Sequence, residues 1–135
     1  MARGLNNNNP LNIRKDGKHW VGEKEPSTDK SFKQFISMAY GYRAAFVNLA
    51  SYRERGLDTI DKIIRRWAPP CENNTESYIK HVEEWSGVPR HKILLKAGSK
   101  DDYVKIVCAM SRVENGMPAV EEDVRKGFAL QSSLV

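Results

Sequence analysis

Glu114 is the residue whose type and position most directly suggest chemistry in this sequence. Apolar side chains recur at Ile106, Val107 and Met110, and the same helical spacing places Glu114 on the core side. Burial without a cationic partner raises the pKa of a carboxyl group, and a protonated carboxyl is the general acid that cleavage of a glycosidic bond requires near neutral pH. Two alternatives stay open: Glu114 could turn to solvent at the helix end, or it could pair with Arg112 or with another arginine that lines the core.

A second carboxylate is expected on a polar segment nearer the amino terminus. Most glycosidases use two carboxyl groups that flank the scissile bond. Glu23, Glu25 and Asp29 lie in a polar stretch flanked by residues 19–22 and 31–36, where short alternation predicts a small β-hairpin or a pair of extended arms. Glu23 is the candidate for the assisting carboxylate and Asp29 is the substitute. The alternative is that these charges only solvate an exposed hairpin.

Amide and aromatic side chains of the types that bind sugars accompany these carboxylates. Sugar rings stack on flat apolar faces, and sugar hydroxyls form hydrogen bonds with planar amides. We predict a glycan groove shaped by Asn8, Asn9, Asn12, Trp20, Asn73 and Tyr78. The alternative is that the asparagines serve turns and the aromatic residues serve the core. Trp67 and Trp85 fit the core because they lie in apolar stripes, whereas Trp20 is the expected exposed platform.

Helices are predicted to position most of these residues. Apolar periodicity with flanking caps and stops predicts five amphipathic helices, at about 37–56, 58–68, 74–87, 99–116 and 118–126. Ser99 with Asp102 resembles a capping box, and Pro118 suits the first turn of the last helix, with Val120 and Val124 directed inward. Residues 1–10 are rich in Asn and predict an irregular segment.

The predicted elements define a fold class. Five helices with one small β-hairpin indicate an α+β fold, mainly α-helical, in a single domain over residues 1–135. A chain of this length can bury a core without a disulfide or a metal, and we expect Cys71 and Cys108 to be free thiols. The net charge of +5 is spread along the chain. Such a positive field suits any polyanion, including the carboxylates of peptidoglycan.

Several other kinds of site are not supported by the sequence. His19, His81 and His91 have no ligand spacing, so neither a zinc site nor a cofactor is expected. No phosphate-binding loop or partnered catalytic Ser or Cys is present. The basic stretch 62–66 is the main hint of nucleic-acid binding, and no nucleic-acid-binding motif accompanies it. No apolar run reaches the length of a membrane span.

Four segments together resemble a family of small bacteriophage and prophage proteins, often labelled virion structural proteins and regarded as lysozyme-like murein hydrolases. The segments are RGLNNNNPLNIR from Arg3, FKQF and YGYRA within 32–44, WAPPCENNTESYI from Trp67, and VENG from Val113. The family opening reads RG-aliphatic-RNNNPGNIR, and here Asn6 replaces Arg and Leu11 replaces Gly. The resemblance covers nearly the whole chain and implies a lysozyme-like fold.

A more distant similarity is to flagellar-type glucosaminidases, in which the catalytic Glu lies on a helix before an Asn-rich turn. Here the helix that ends in VENG follows that turn at the other end of the chain. We therefore hypothesise a circularly permuted order of the same parts, with Glu114 in the position of the acid. A structure in which Glu114 points away from the Asn-rich loop and the predicted hairpin would refute this hypothesis.

The resemblance implies a function at the bacterial cell wall. The expected activity is cleavage of the β-1,4 glycan of peptidoglycan, by hydrolysis or by transglycosylation, with glycan strands and virion components as partners. The amino terminus has no apolar signal segment, so we expect synthesis in the cytoplasm and delivery to the wall by a virion or on lysis. The alternative is a catalytically silent virion or wall-binding protein that kept the fold.

Overall fold

The computed structural model describes residues 2–71 and 73–131, and α-helix is its main element. The helices, in chain order, are α1 (Arg3–Asn6), α2 (Met38–Glu54), α3 (Ile60–Trp67), α4 (Thr75–Ser86), α5 (Lys100–Asn115) and α6 (Glu121–Ala129). The mainly α-helical character predicted from the sequence is confirmed.

Capping residues explain where the longer helices begin and end. The side chains of Ser37, Thr59 and Asn74 each accept a hydrogen bond from the backbone N–H three residues on, which satisfies a free donor at the start of α2, α3 and α4. Helices α4 and α5 end at Gly87 and Gly116, whose φ values of 72° and 73° lie in the left-handed region. The first four predicted helices are confirmed, the second with its cap one residue later than predicted.

Two local predictions at helix starts are wrong. Ser99 makes no side-chain capping bond, and Asp102 instead accepts a hydrogen bond from Lys92 at 2.8 Å, so the capping box does not form. An Asp side chain is one methylene shorter than the Glu of a capping box and reaches back less far. The segment 1–10 is also not wholly irregular, because α1 occupies four of its residues.

The last helix begins at Glu121, not at Pro118. Val120 is the residue before it and has extended backbone angles. Acidic side chains fill the first turn, where the helix dipole favours negative charge; they are Glu121, Glu122 and Asp123. Val124 is buried as predicted, whereas the prediction that Val120 points inward is wrong, since it is 61% exposed.

The predicted β-hairpin is not confirmed. Within the described residues, the segment before α2 has two isolated antiparallel bridges, Arg14 with Phe32 and Glu23 with Phe35. Backbone hydrogen bonds accompany each bridge, among them Lys33 N–H to the Ile13 carbonyl at 3.0 Å and Lys24 N–H to the Gln34 carbonyl at 2.7 Å, and side-chain hydrogen bonds add to this short pairing. The amide of Asn9 donates to the carbonyls of Ile13 and Lys33, both at 2.9 Å, and its oxygen accepts from the Ile13 N–H. The segment is therefore an ordered loop layer packed on the helices.

The core forms where α2 packs on α6 and α4 packs on α5, and α3 adds three buried isoleucines to it. Gly127 of α6 lies so close to α2 that an added Cβ would be 2.5 Å from the Cβ of Tyr42. The rings of Phe46 and Phe128 meet edge to face with centroids 5.1 Å apart. Burial of Ile106, Val107 and Met110 fixes the rotation of α5, and this rotation directs the end of that helix toward the amino-terminal loop.

Neither Cys71 nor Cys108 forms a disulfide. Cys108 is half-buried, as expected for a partly buried thiol, whereas Cys71 is exposed. Burial raises the pKa of the Cys108 thiol to about 11, so it stays protonated and unreactive at neutral pH. In the described part of the chain, no helix is both long and apolar enough to cross a membrane.

Candidate functional site

Glu114 lies in the last turn of α5, and both of its carboxylate oxygens are held by neutral donors. The side-chain amide of Asn12 donates to Oε1 at 3.0 Å, and the hydroxyl of Tyr78 donates to Oε2 at 2.9 Å. Glu114 thus points toward the Asn-rich loop, the direction that the permutation hypothesis requires. Glu114 does not turn freely to solvent. The guanidinium of Arg112 stacks on Trp85 and does not pair with Glu114.

The end of α5 is tied directly to the amino-terminal loop. The Asn115 amide donates to the Pro10 carbonyl at 2.8 Å and to the Ser111 carbonyl at 2.9 Å. Asn12 takes a φ of 54°, a left-handed conformation that Asn tolerates better than most residues. Gly4 permits the close approach, because an added Cβ would lie 2.8 Å from Oδ1 of both Asn12 and Asn115. These contacts fix the position of the Asn12 amide, which donates to Glu114.

Tyr78 approaches Glu114 from the first turns of α4. Its side chain is buried, and burial together with the nearby charge of Glu114 raises the pKa of its hydroxyl well above the usual value. The hydroxyl therefore stays protonated at neutral pH. A tyrosine hydroxyl can donate to an ionised carboxylate and can also accept from a protonated carboxyl, whereas the Asn12 amide nitrogen only donates. Tyr78 can accordingly satisfy Glu114 in either protonation state.

Glu114 lines a cleft with a volume of about 190 Å³. The cleft combines two aromatic side chains, two side-chain amides and one arginine, and its lining residues are Leu11, Asn12, Arg14, Phe32, Trp67, Ala68, Asn73 and Glu114. A second groove, of about 440 Å³, is lined by Asn73, Asn74, Ser77, Tyr78, His81, Trp85, Arg112, Val113 and Gly116. Asn73 lines both, and the bond between Tyr78 and Glu114 joins their linings. Together they offer a continuous surface along Glu114.

The predicted hairpin carboxylates have structural partners. Oε1 of Glu23 accepts hydrogen bonds from the ammonium of Lys33 and from the backbone N–H of Trp20, both at 2.9 Å. The Glu23 side chain is 9% exposed. Asp29 accepts two hydrogen bonds from the Arg3 guanidinium at 2.7 Å, with further donors from Asn7 and the Ser31 and Phe32 backbone. The Arg3 guanidinium and these donors hold the pKa of Asp29 far below its usual range. Neither carboxylate lines the Glu114 cleft.

The predicted glycan-binding residues separate into two groups. Asn12, Asn73 and Tyr78 come together around Glu114. Asn8 instead donates to the Phe35 carbonyl, and Asn9 is fully buried as a bridge within the loop layer. These two asparagines follow the structural alternative that their turn propensity predicted.

Trp20 is not an open platform. It is half-buried and packs against a small cluster formed by Ile13, Phe35 and Ala44. Its indole N–H donates to Asp16, and the ammonium of Lys33 lies 5.6 Å from its ring centroid. Trp20 therefore stabilises the loop layer rather than the cleft.

Sequence reasoning missed an aromatic and cationic wall in the larger groove. Trp85 was expected in the core because of its apolar stripe, but it is 36% exposed. The ring of His81 stacks on it at a centroid distance of 4.8 Å, and the Arg112 guanidinium lies 4.0 Å from its centroid on the neighbouring helix. The spacing of His81 and Trp85, four residues apart on α4, was an available signal for the first contact. No local pattern indicates the second.

No group of three or more His, Cys, Asp or Glu side chains is arranged to bind a metal within residues 2–71 and 73–131. The chemistry available at the cleft is that of a carboxyl group with two neutral hydrogen-bond partners, flanked by aromatic side chains, amides and one arginine.

Comparison with known proteins gives one relationship that spans the fold. No family model matches the chain. The chain is 41% identical over 132 residues to a protein named Protein P5 from Pseudoalteromonas phage PM2, in an alignment that covers 94% of this chain and 80% of the phage protein. The predicted relationship to bacteriophage proteins is confirmed, whereas the lysozyme-like fold stays a prediction. Identity at this level over most of both sequences shows that the chain belongs to the family of this phage protein.

Proposed function

We propose that the protein cleaves the glycan strands of peptidoglycan, with Glu114 as the proton donor. The observation that carries the proposal is the placement of Glu114 in the cleft. Asn12 and Tyr78 donate to its two carboxylate oxygens, and among the described residues no cation forms a hydrogen bond with it. A carboxyl group held in this way can meet a glycosidic oxygen in a fixed orientation. The circularly permuted, lysozyme-like order of parts belongs to the same proposal.

The two partners of Glu114 suit a reversible transfer of one proton. Protonated Glu114 gives its proton to the glycosidic oxygen, and the bond between that oxygen and the anomeric carbon breaks with its electron pair on the oxygen. The carboxylate that remains accepts from both Asn12 and Tyr78. It then takes a proton from the hydroxyl that attacks the anomeric carbon, either water in hydrolysis or a hydroxyl of the same sugar in transglycosylation.

A mechanism with a single protein carboxylate fits the cleft better than the expected pair. Two-carboxylate glycosidases place their groups about 5–9.5 Å apart across the scissile bond. Among the described residues that line the cleft, Glu114 is the one carboxylate. Glu23 and Asp29 are engaged by Lys33 and Arg3. Because the two predicted partners of Glu114 are engaged elsewhere, we propose that a group of the substrate assists, as in substrate-assisted glycosidases.

The shape and chemistry of the lining support a polysaccharide as the substrate class. Trp67 and Asn73 line the cleft with a flat apolar side chain and a planar amide. The Phe32 ring is covered by the guanidiniums of Arg3 and Arg14, and the Asn12 amide is engaged by Glu114. The larger groove extends this surface beyond Tyr78. An extended strand of sugars can use both parts while one glycosidic bond lies at Glu114.

The relationship to a phage protein is compatible with a second candidate function, which is that of a catalytically silent virion component or wall-binding protein. Such a protein would keep the groove and lose the proton transfer. Both functions are consistent with delivery to the cell surface by a virion.

Dye-labelled peptidoglycan sacculi separate the two functions. The wild-type protein should release soluble dye, and the nearly isosteric Glu114→Gln variant should release none, because the amide has no acidic proton to give. The matched control is Glu84→Gln, which makes the same chemical change at an exposed position on α4. Sedimentation of wild-type protein with the sacculi without dye release, from a sample folded by circular dichroism, would establish the binding function instead.

A further inference from the structure

Arg112 presents its guanidinium to the larger groove. It lies 4.0 Å from the centroid of the Trp85 ring, and His81 stacks on the same indole with an interplanar angle of 26°. A guanidinium stacked on an aromatic ring keeps its in-plane N–H donors available and loses little further freedom on binding. The Arg112 guanidinium is therefore positioned to bind a planar acceptor such as a carboxylate.

No carboxylate neutralises this guanidinium among residues 2–71 and 73–131. Other arginines of the described chain form ion pairs, such as Arg65 with Asp61 at 3.0 Å and Arg125 with Glu121 at 3.1 Å. The lining of the groove contains no Asp or Glu side chain among the described residues. A fixed cation in a groove without a counter-ion attracts an anionic ligand, and a carboxylate fits the guanidinium with two parallel hydrogen bonds.

The neighbours of Arg112 favour a peptide carboxylate. Asn73 and Asn74 bring side-chain amides to the groove, and amides pair with the backbone of a peptide. Val113 and the indole of Trp85 supply apolar contact beside them. The muramic acid residues of peptidoglycan carry short peptides whose carboxyl groups are ionised at neutral pH.

We propose that the larger groove binds the peptide substituent of the glycan and that Arg112 receives one of its carboxylates, so that the substrate class is peptide-bearing glycan and not neutral glycan. This inference rests on the proposed function. Tyr78 lines the groove and donates to Glu114, so a peptide bound there places its own sugar beside the proton donor.

Binding to an inactive protein tests the inference without any catalytic step. In a Glu114→Gln background, calorimetry would compare a tetrasaccharide–peptide fragment of peptidoglycan with the same fragment after amidation of its peptide carboxylates. Arg112→Gln should weaken binding of the carboxylate fragment about 10–100-fold and leave binding of the amidated fragment unchanged. Arg112→Lys should lie between, because an ammonium keeps the charge and loses the two-pronged geometry.

The matched control is Lys105→Gln, which removes one positive charge from the same helix at an exposed position outside the groove. It should change binding of neither fragment. Equal weakening of both fragments by Arg112→Gln, or equal affinity of the parent protein for both, would overturn the role of Arg112 and leave the proposed cleavage intact. Failure of the folded parent to bind either fragment would overturn the proposed function together with this inference.

Discussion

Replacement of Lys33 by Met should destabilise the loop layer strongly. The Lys33 side chain is 1% exposed, and its ammonium donates to the Lys18 carbonyl at 2.7 Å and to Glu23 at 2.9 Å. It also pairs with Asp16 at 2.9 Å. Burial lowers the pKa of Lys33, but the hydrogen bonds to Glu23 and Asp16 outweigh this effect and raise it. The stabilisation is therefore present at neutral pH and is lost only as the pH rises through that raised value.

The magnitude follows from the near-burial of the partner carboxylate. Met keeps much of the volume of Lys but leaves Glu23, which is 9% exposed, without its cation. Removal of one partner from a buried ion pair costs about 3–5 kcal/mol, because the remaining charge is uncompensated. We expect Lys33→Met to lower the free energy of unfolding by about that amount.

Urea denaturation followed by circular dichroism measures the loss, and a double-mutant cycle assigns it to the pair. Glu23→Leu combined with Lys33→Met should be more stable than the sum of the single losses predicts, with a coupling energy of about 1–3 kcal/mol. A loss below about 1 kcal/mol for Lys33→Met, or strict additivity of the two changes, would refute the structural role of Glu23 and return it to the candidates for catalysis.

Three further predictions follow from contacts around the cleft and the loop layer. The Arg3 guanidinium lowers the pKa of Asp29, so the stability that Asp29 contributes is present above about pH 4 and is lost as the pH falls toward the lower folded value. Thermal melts of Asp29→Asn should show lower stability at pH 7 and a smaller loss between pH 5 and pH 2; an unchanged pH slope would refute this. Gly4→Ala should lower the cleavage rate at least ~10-fold by displacing the amide that contacts Glu114, whereas Gly127→Ala should lower only the melting temperature. Equal rates for the two glycine variants would contradict this geometry. Tyr78→Phe should lower the rate by about 10–100-fold, since a hydrogen bond to a charged group contributes about 1.5–3 kcal/mol; a wild-type rate would show that the hydroxyl only fills space.

The helices and the side of α5 that carries Glu114 could be predicted from the sequence because both depend on local signals. The spacing of apolar residues and the capping residues correctly predicted four of the five longer helices. The apolar stripe of α5 correctly predicted that Glu114 faces the rest of the protein. The partners of Glu114 could not be predicted in the same way. Asn12 is 102 residues away in sequence and Tyr78 is 36 residues away, and no spacing rule relates side chains across such distances.

The loop layer shows why the hairpin prediction is not confirmed as a regular element. Alternating residues around 19–22 and 31–36 match a strand pattern, and residues 22–24 do pair with residues 34–36, but only around one isolated bridge. Asn9 joins the carbonyls of Ile13 and Lys33 beside the second bridge, and such long-range side-chain contacts have no signal in the alternation of residues. A buried lysine has no sequence signal, because lysine is among the least often buried residue types. Trp20 was likewise drawn into this layer instead of the cleft.

The measurement that tests the central claim most directly is mass spectrometry of the products released from purified peptidoglycan by wild-type protein and by Glu114→Gln. We predict that the wild-type protein releases muropeptides whose masses identify one cleaved glycosidic bond and either a reducing or an anhydro end. The folded Glu114→Gln variant should release none. Release of the same products at the same rate by Glu114→Gln would contradict the assignment of Glu114 as the proton donor, and the absence of products from folded wild-type protein would contradict the proposed cleavage.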